Sequence, residues 1–202
     1  MSFEPAVAND VFTEEELSTI LKTYGDKVPE GKFLKDRYGF THYSIKGSLD
    51  NPMVVVCHGL GTSMKAFTII AEDLVKAGYS VLKYDYYGHG YSKYGNGNGT
   101  KDSTRDLFFD YTPDMFVDQL EDLIDHVKKE EGGKDPFVLC GHSTGGIICT
   151  TANHRWSQTT STRTVLPKIV LISPAYYGNK VSIYMRNNGW RHLFMLYSYP
   201  II

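Results

Sequence analysis

The pentapeptide from Gly141 to Gly145, Gly-His-Ser-Thr-Gly, carries the strongest chemical signal in the chain. It follows a short apolar run and precedes a segment of helical character, which is the context that gives a Gly-x-Ser-x-Gly motif its meaning. Such a bend lifts the serine to the end of a strand, where the first N–H groups of the helix can stabilise an oxyanion. The motif predicts that Ser143 is a nucleophile. The alternative is a tight turn that merely exposes a small serine.

A second motif, His58-Gly59-Leu60-Gly61, follows the apolar run that ends at Cys57. A loop at this place can direct the backbone N–H of Leu60 towards a substrate oxygen, opposite the N–H of Thr144. Two such donors form an oxyanion hole, and the loss of one lowers kcat about 10²–10³-fold. The alternative is a glycine-rich connection without a chemical role.

A third motif, Asp-Tyr-Tyr-Gly-His-Gly-Tyr-Ser, runs from Asp85 to Ser92. Its glycines permit a tight loop near the pocket, so the motif predicts a structural role. His89 is a conceivable general base, but a histidine that packs the loop is the favoured interpretation.

The segments around these motifs predict the elements that position them. Short apolar runs indicate strands buried on both faces, and apolar residues at helical spacing separate them. This alternation predicts crossover units, and therefore an α/β fold with a mostly parallel sheet and helices on both faces. Ligands of such sheets bind at the carboxyl ends of the strands, where all three motifs lie. The predicted strands are residues 53–57, 81–84, 137–140 and 168–172, and the predicted helices are residues 67–75, about 112–127 and 145–156.

Upstream of these units, the pattern is different. Thr13 and Glu16 form a capping box that predicts a helix, which Gly25 ends. Residues 33–36 and 40–45 predict a strand pair.

Together the three motifs, in this order and spacing, resemble the α/β-hydrolase superfamily, and in particular the group of monoglyceride lipases, lysophospholipases and serine aminopeptidases. The resemblance covers about residues 33–175. It implies Ser143 as the nucleophile and Leu60 and Thr144 as oxyanion donors. It also implies a serine hydrolase of carboxylic esters such as acylglycerols or lysophospholipids.

The remaining triad residues are not visible in this sequence. In the α/β-hydrolase order the acid and then the histidine follow the serine, but no Asp or Glu follows Asp135. His154 comes too early in the fold to be the base, and His192 falls where a cap would begin. We therefore expect a truncated chain that lacks the last strands and most of the cap. A split enzyme and a catalytically inactive module that binds a ligand or partner are the alternatives.

This resemblance divides the chain into three parts. Residues 1–32 are expected to form an N-terminal helix and extension. Residues 33–175 are expected to form a partial hydrolase core, and residues 176–202 the start of the cap or a tail.

Composition limits the partners. The net charge of −2 gives no reason to expect a nucleic-acid partner, so we expect a small ester or acyl substrate. No apolar run approaches the ~18 residues of a membrane span. The absence of a secretory signal and three cysteines in apolar runs predict a cytoplasmic location. No cofactor or metal is expected, and the oligomeric state is left open.

Three other kinds of ligand site are less favoured by the sequence. Gly59-x-Gly61 with Asp85 has the layout of a dinucleotide fingerprint, but Met64 stands where a third small residue should pack. The glycine-rich stretch 95–99 has neither a preceding strand nor the lysine of a phosphate loop. A metal site formed by Cys57, His58, Cys140 and His142 is less favoured than buried thiols.

Overall fold

The computed structural model of the protein describes residues 4–6, 12–15, 18, 31–94, 112–158 and 166–175. In this part of the chain the strands form one mixed sheet, with helices packed against it. The strands are β1 (Glu4–Ala6), β2 (Lys32–Lys35), β3 (Gly39–Lys46), β4 (Met53–Cys57), β5 (Ser80–Tyr84), β6 (Lys93–Tyr94), β7 (Pro136–His142) and β8 (Lys168–Ile172). The helices are α1 (Thr68–Lys76), α2 (Pro113–Glu130) and α3 (Thr144–Gln158), and a 3-10 turn, Met64–Phe67, precedes α1.

The sheet has the strand order β1-β2-β3-β5-β4-β7-β8, with β6 paired to β3. The four strands β5, β4, β7 and β8 are parallel, whereas β1, β2, β3 and β6 join by antiparallel pairs. Val55 of β4 lies between Leu82 of β5 and Leu139 of β7. Because parallel strands end at one edge, the loops after β4, β5, β7 and β8 meet there.

Apolar side chains cover both faces of the central strand β4. Val55 and Cys57 belong to the core under α2 and α3, and Val54 and Val56 pack with Phe67 on the α1 face. Burial on both faces explains why β4 reads as an uninterrupted apolar run rather than an alternating one.

A charged cluster joins α3 to α2. The Arg155 guanidinium of α3 binds Asp118 at 2.5 Å, Asp114 at 2.7 Å and Glu121 at 3.2 Å, all on α2. The Trp156 indole N–H donates to Glu121 at 2.6 Å. These contacts fix the far end of the helix that begins at the Ser143 bend.

The predicted elements agree with the structure apart from their ends. Strands 53–57 and 168–172 have the predicted bounds, while β7 begins one residue earlier and runs two residues further than predicted. The short strands β1 and β6 were not predicted. They have three and two residues, too few to show an alternating pattern.

Several predictions fall wholly or partly outside the described residues. Glu14 and Glu15 are helical, in agreement with the predicted N-terminal helix. Glu16 and Gly25 lie outside the described residues, as do the stretch 95–99 and residues 176–202. In the described ranges, no helix combines the length and the apolar composition that a bilayer crossing requires.

Candidate functional site

The bend at Ser143 is a single residue that joins β7 to α3. Ser143 has a φ of +51°, in the left-handed region that side chains other than glycine rarely adopt. Its carbonyl oxygen accepts hydrogen bonds from Gly146 N–H at 3.0 Å and Ala175 N–H at 2.9 Å. Its own N–H donates to the Ile172 carbonyl at 3.1 Å. The end of β8 and the residues that follow it therefore help to hold the strained bend.

The two glycines of the motif are required by backbone contacts on either side of the bend. A Cβ on Gly141 would lie 2.5 Å from the Gly145 carbonyl oxygen. A Cβ on Gly145 would lie 2.1 Å from the Cys57 carbonyl oxygen. Any side chain at these positions would separate the strand from the helix, or the bend from β4.

The loop after β4 passes directly beside the serine. A Cβ on Gly59 would lie 3.1 Å from the Cβ of Ser143 and 2.9 Å from Nδ1 of His142. Leu60 follows Gly59 in the chain, and Thr144 is the first residue of α3, so its N–H has no acceptor within the helix. The structure thus brings the segments of all three predicted site residues, Ser143, Leu60 and Thr144, to one place.

The loop from His58 to Met64, which we call the β4 loop, is held at both ends by the same dipeptide. At its start, Nε2 of His58 accepts a hydrogen bond from Tyr86 N–H at 3.1 Å. At its end, Met64 N–H donates to Oδ1 of Asp85 at 2.8 Å. The rings of His58 and Tyr86 also pack against each other, with centroids 4.0 Å apart and planes tilted by 31°. The third motif therefore has a structural role, since it positions the second.

His58 is neutral in this environment. Its side chain is fully buried, and burial lowers its pKa to about 4. Since Nε2 accepts from Tyr86, the proton must be on Nδ1, which lies 2.8 Å from the Gly59 carbonyl oxygen and donates to it.

Asp85 is the buried centre of the third motif. Its Oδ2 accepts from Nδ1 of His42 at 2.8 Å and from Tyr91 N–H at 3.2 Å. Burial acts to raise the pKa of Asp85, but the bonds from His42 and Met64 outweigh burial and lower it. A Cβ on Gly90 would lie 2.1 Å from Oδ2. This carboxylate is enclosed by protein donors, which argues against the dinucleotide alternative, in which it would face a ribose.

Packing accounts for His89 and for the three cysteines. His89 is buried, its Nδ1 lies 3.1 Å from the Tyr87 carbonyl oxygen, and burial lowers its pKa, as expected of a loop-packing residue. His154 is exposed on α3, and His192 lies outside the described residues. The described ranges contain no set of three His, Cys, Asp or Glu side chains placed to hold a metal ion. Cys57, Cys140 and Cys149 are free and buried.

Sequence alone does not identify two residues of this cluster, His42 and Thr62. The pairing of His42 with Asp85 spans 43 positions and leaves no local pattern. Thr62 closes a four-residue turn from Gly59, whose third residue, Gly61, has a φ of +75°. A Gly-x-Gly-Thr segment with glycine at the third position is a recognisable type II turn sequence.

Comparison with known proteins gives one family. The sequence profile of the serine aminopeptidase S33 family, a group of hydrolases, matches residues 50–196. A curated proline iminopeptidase from Saccharolobus solfataricus is 34% identical over 132 residues, which is 63% of this chain and 37% of that protein.

Solved structures agree in fold. A hydrolase from Pseudomonas aeruginosa PA01 has a TM-score of 0.59 and 20% identity, over 79% of this chain and 52% of that one. A carboxylesterase structure from Nitrososphaera gargenis has a TM-score of 0.54 and 20% identity, over 76% of this chain and 50% of that one. The chain thus spans 37% of the curated relative and about half of these structures. The predicted α/β-hydrolase fold is confirmed.

Proposed function

The chain belongs to the serine aminopeptidase S33 family of α/β hydrolases, and from this we propose that it hydrolyses an acyl bond through Ser143. The observation that carries the proposal is the φ of +51° at Ser143, at a one-residue bend between a central parallel strand and its helix. Backbone strain at a non-glycine residue persists only where the surrounding structure maintains it, and such residues cluster at active sites.

In the proposed reaction, Ser143 Oγ attacks the carbonyl carbon of the substrate and its proton passes to a general base. The carbonyl oxygen becomes an oxyanion, which accepts hydrogen bonds from Leu60 N–H and Thr144 N–H. The leaving group departs with a proton, and water then hydrolyses the acyl-enzyme. The proximity of Gly59 to Ser143 supports this assignment of the two amides.

The nucleophile needs a base, because a serine without one is weakly reactive at neutral pH. In α/β hydrolases the acid and base follow the nucleophile in the chain, yet residues 136–202 contain no Asp or Glu. The proposal therefore includes an acid and a base supplied by residues other than those of the described site. A non-catalytic, ligand- or partner-binding module is the competing proposal, and the absence of a visible acid motivates it.

For the substrate we propose a carboxylic ester of a small molecule, such as an acylglycerol or a lysophospholipid, because the motifs resemble the lipase and lysophospholipase group. A second candidate is iminopeptidase activity on a proline-containing substrate, favoured by the 34% identity to the proline iminopeptidase. We also propose a cytoplasmic location, because the three cysteines are free and buried.

The test is labelling with a fluorophosphonate probe, using Ser143→Ala as the control. The proposal predicts labelling of the natural protein that carries this chain and none of the variant. Turnover of p-nitrophenyl esters and of proline p-nitroanilide then separates the two substrate classes. If the folded natural protein is not labelled, the proposal is wrong and the non-catalytic module replaces it.

A further inference from the structure

The carbonyl oxygen of Gly59 is surrounded by donors. Nδ1–H of His58 and Oγ1–H of Thr62 both donate to it at 2.8 Å, and Thr62 N–H does so at 3.3 Å. A carbonyl oxygen has two lone pairs, so three donors fully occupy it and fix the direction of the C=O bond.

Fixing this carbonyl also fixes the next N–H group. The structure has no cis peptide bond in its described residues, so the C=O of Gly59 and the N–H of Leu60 point in opposite directions across one planar unit. The carbonyl oxygen of Gly59 faces the inside of the turn, where it accepts a hydrogen bond from Thr62 N–H. The N–H of Leu60 therefore points out of the turn.

We propose that Thr62, together with His58, is a positioning residue that holds the Leu60 N–H in the oxyanion hole. This inference rests on the proposed role of Ser143. Thr62 does not touch the reacting atoms. Its hydroxyl acts through the Gly59–Leu60 peptide, and the residue before this peptide, Gly59, has no side chain to resist its rotation.

Loss of this positioning should affect the covalent step more than ligand binding. A donor that is already oriented needs no reorganisation when negative charge develops on the substrate oxygen. Without the Thr62 hydroxyl, the Gly59 carbonyl keeps only His58 Nδ1–H and the longer bond from Thr62 N–H, so the peptide rotates away from the hole more readily. This weakens the bond to the oxyanion more than ground-state binding. The rate of the covalent step should fall while the affinity for the unreacted ligand stays nearly constant.

The chain provides a close control. Thr68 Oγ1 donates to the Lys65 carbonyl at 2.8 Å, the same three-residue step back and the same length as the bond from Thr62 to Gly59. Thr68 is the first residue of α1, and its hydroxyl donates to Lys65 rather than to the Gly59–Leu60 peptide. Thr62 is exposed, so its replacement should leave the fold intact.

The experiment compares Thr62→Val, Thr62→Ser and Thr68→Val with the natural protein, with fluorophosphonate as the probe. The rate of phosphonylation at saturation, kinact, and the concentration for half-saturation, KI, are both measured. We expect Thr62→Val to lower kinact about tenfold with KI nearly unchanged, while Thr62→Ser and Thr68→Val keep kinact within about twofold.

The outcomes separate the two proposals. If the natural protein is not phosphonylated, the proposed function fails and the role of Thr62 fails with it. If the natural protein reacts and Thr62→Val reacts equally fast, only the positioning role is overturned. Equal losses in Thr62→Val and Thr68→Val, or a loss confined to KI, would also overturn it.

Discussion

Gly145, on the first turn of α3, is in backbone contact with Cys57 at the end of β4. A Cβ at position 145 would lie 2.1 Å from the Cys57 carbonyl oxygen and 2.8 Å from that of His58. Neither obstacle is a side-chain end that could rotate away, so the contact fixes the distance between the Ser143 bend and the β4 loop.

The first prediction is that Gly145→Ala destabilises the protein by about 3 kcal/mol, near the upper end of ordinary overpacking, because only backbone shifts can make room. Urea unfolding followed by circular dichroism measures this loss. Gly132→Ala is the control, since Gly132 has a φ of +75° but nothing within 4 Å of an added Cβ. It should cost about 1 kcal/mol from conformational strain alone. Equal costs for the two variants would contradict the contact.

A second prediction concerns the strain at Ser143. Because its φ is +51°, we expect Ser143→Gly to be more stable to urea than Ser143→Ala by about 1 kcal/mol. Both variants should lose labelling by a fluorophosphonate. The same midpoint and slope for both would show that position 143 is not strained.

A third prediction is a pH dependence that originates at His58. Burial lowers its pKa from 6.5 to about 4, so between these values the unfolded chain binds a proton that the folded protein does not. Folding stability from this group is complete above pH 6.5 and falls as the pH approaches 4, by about 3 kcal/mol in total.

This dependence is tested by urea unfolding at several pH values in that window, for the natural protein and for His58→Asn. The variant cannot titrate at this position, so its stability should fall about 3 kcal/mol less on acidification. Using the difference between the two proteins removes the contributions of the other histidines and carboxylates. Parallel curves would refute the assignment.

A fourth prediction concerns the cluster on α2. Arg155 lies among Asp114, Asp118 and Glu121, and its side chain is 28% exposed. Arg155→Met should cost about 1–2 kcal/mol, since the three carboxylates lose the cation that they share and repel one another more strongly. The loss should shrink in 1 M NaCl, because screening acts on partly exposed charges. A cost that is independent of salt would point to lost packing instead.

The sequence predicts an element of this fold correctly where a single steric or burial requirement determines the residue types. The unbroken apolar run of β4 and the glycine pair around Ser143 each have a single structural explanation, and the structure agrees with both. The motif at 141–145 could be recognised because steric limits force particular residue types at fixed spacing. The short strand β6 carries no such constraint, because its two residues are paired only by the tertiary structure.

For the same reason, the sequence does not predict which distant segments are in contact. His42 and Asp85 are an ordinary histidine and an ordinary aspartate until the pairing of β3 with β5 brings them together. The sequence predicts that the segment after β4 directs the Leu60 N–H, but its glycines do not show which side chain holds the turn from Gly59 to Thr62. A positioning role for the Thr62 hydroxyl can be inferred only from the structure, which shows that its acceptor is the Gly59 carbonyl.

Attachment of the β4 loop to Asp85 and Tyr86 at both ends sets a limit on how this protein can be redesigned. A residue inserted between His58 and Met64 would release one of the two attachments, so the length of this segment cannot be varied independently of the neighbouring one. Attempts to redesign the surroundings of Ser143 should therefore leave both segments intact and vary residues outside them.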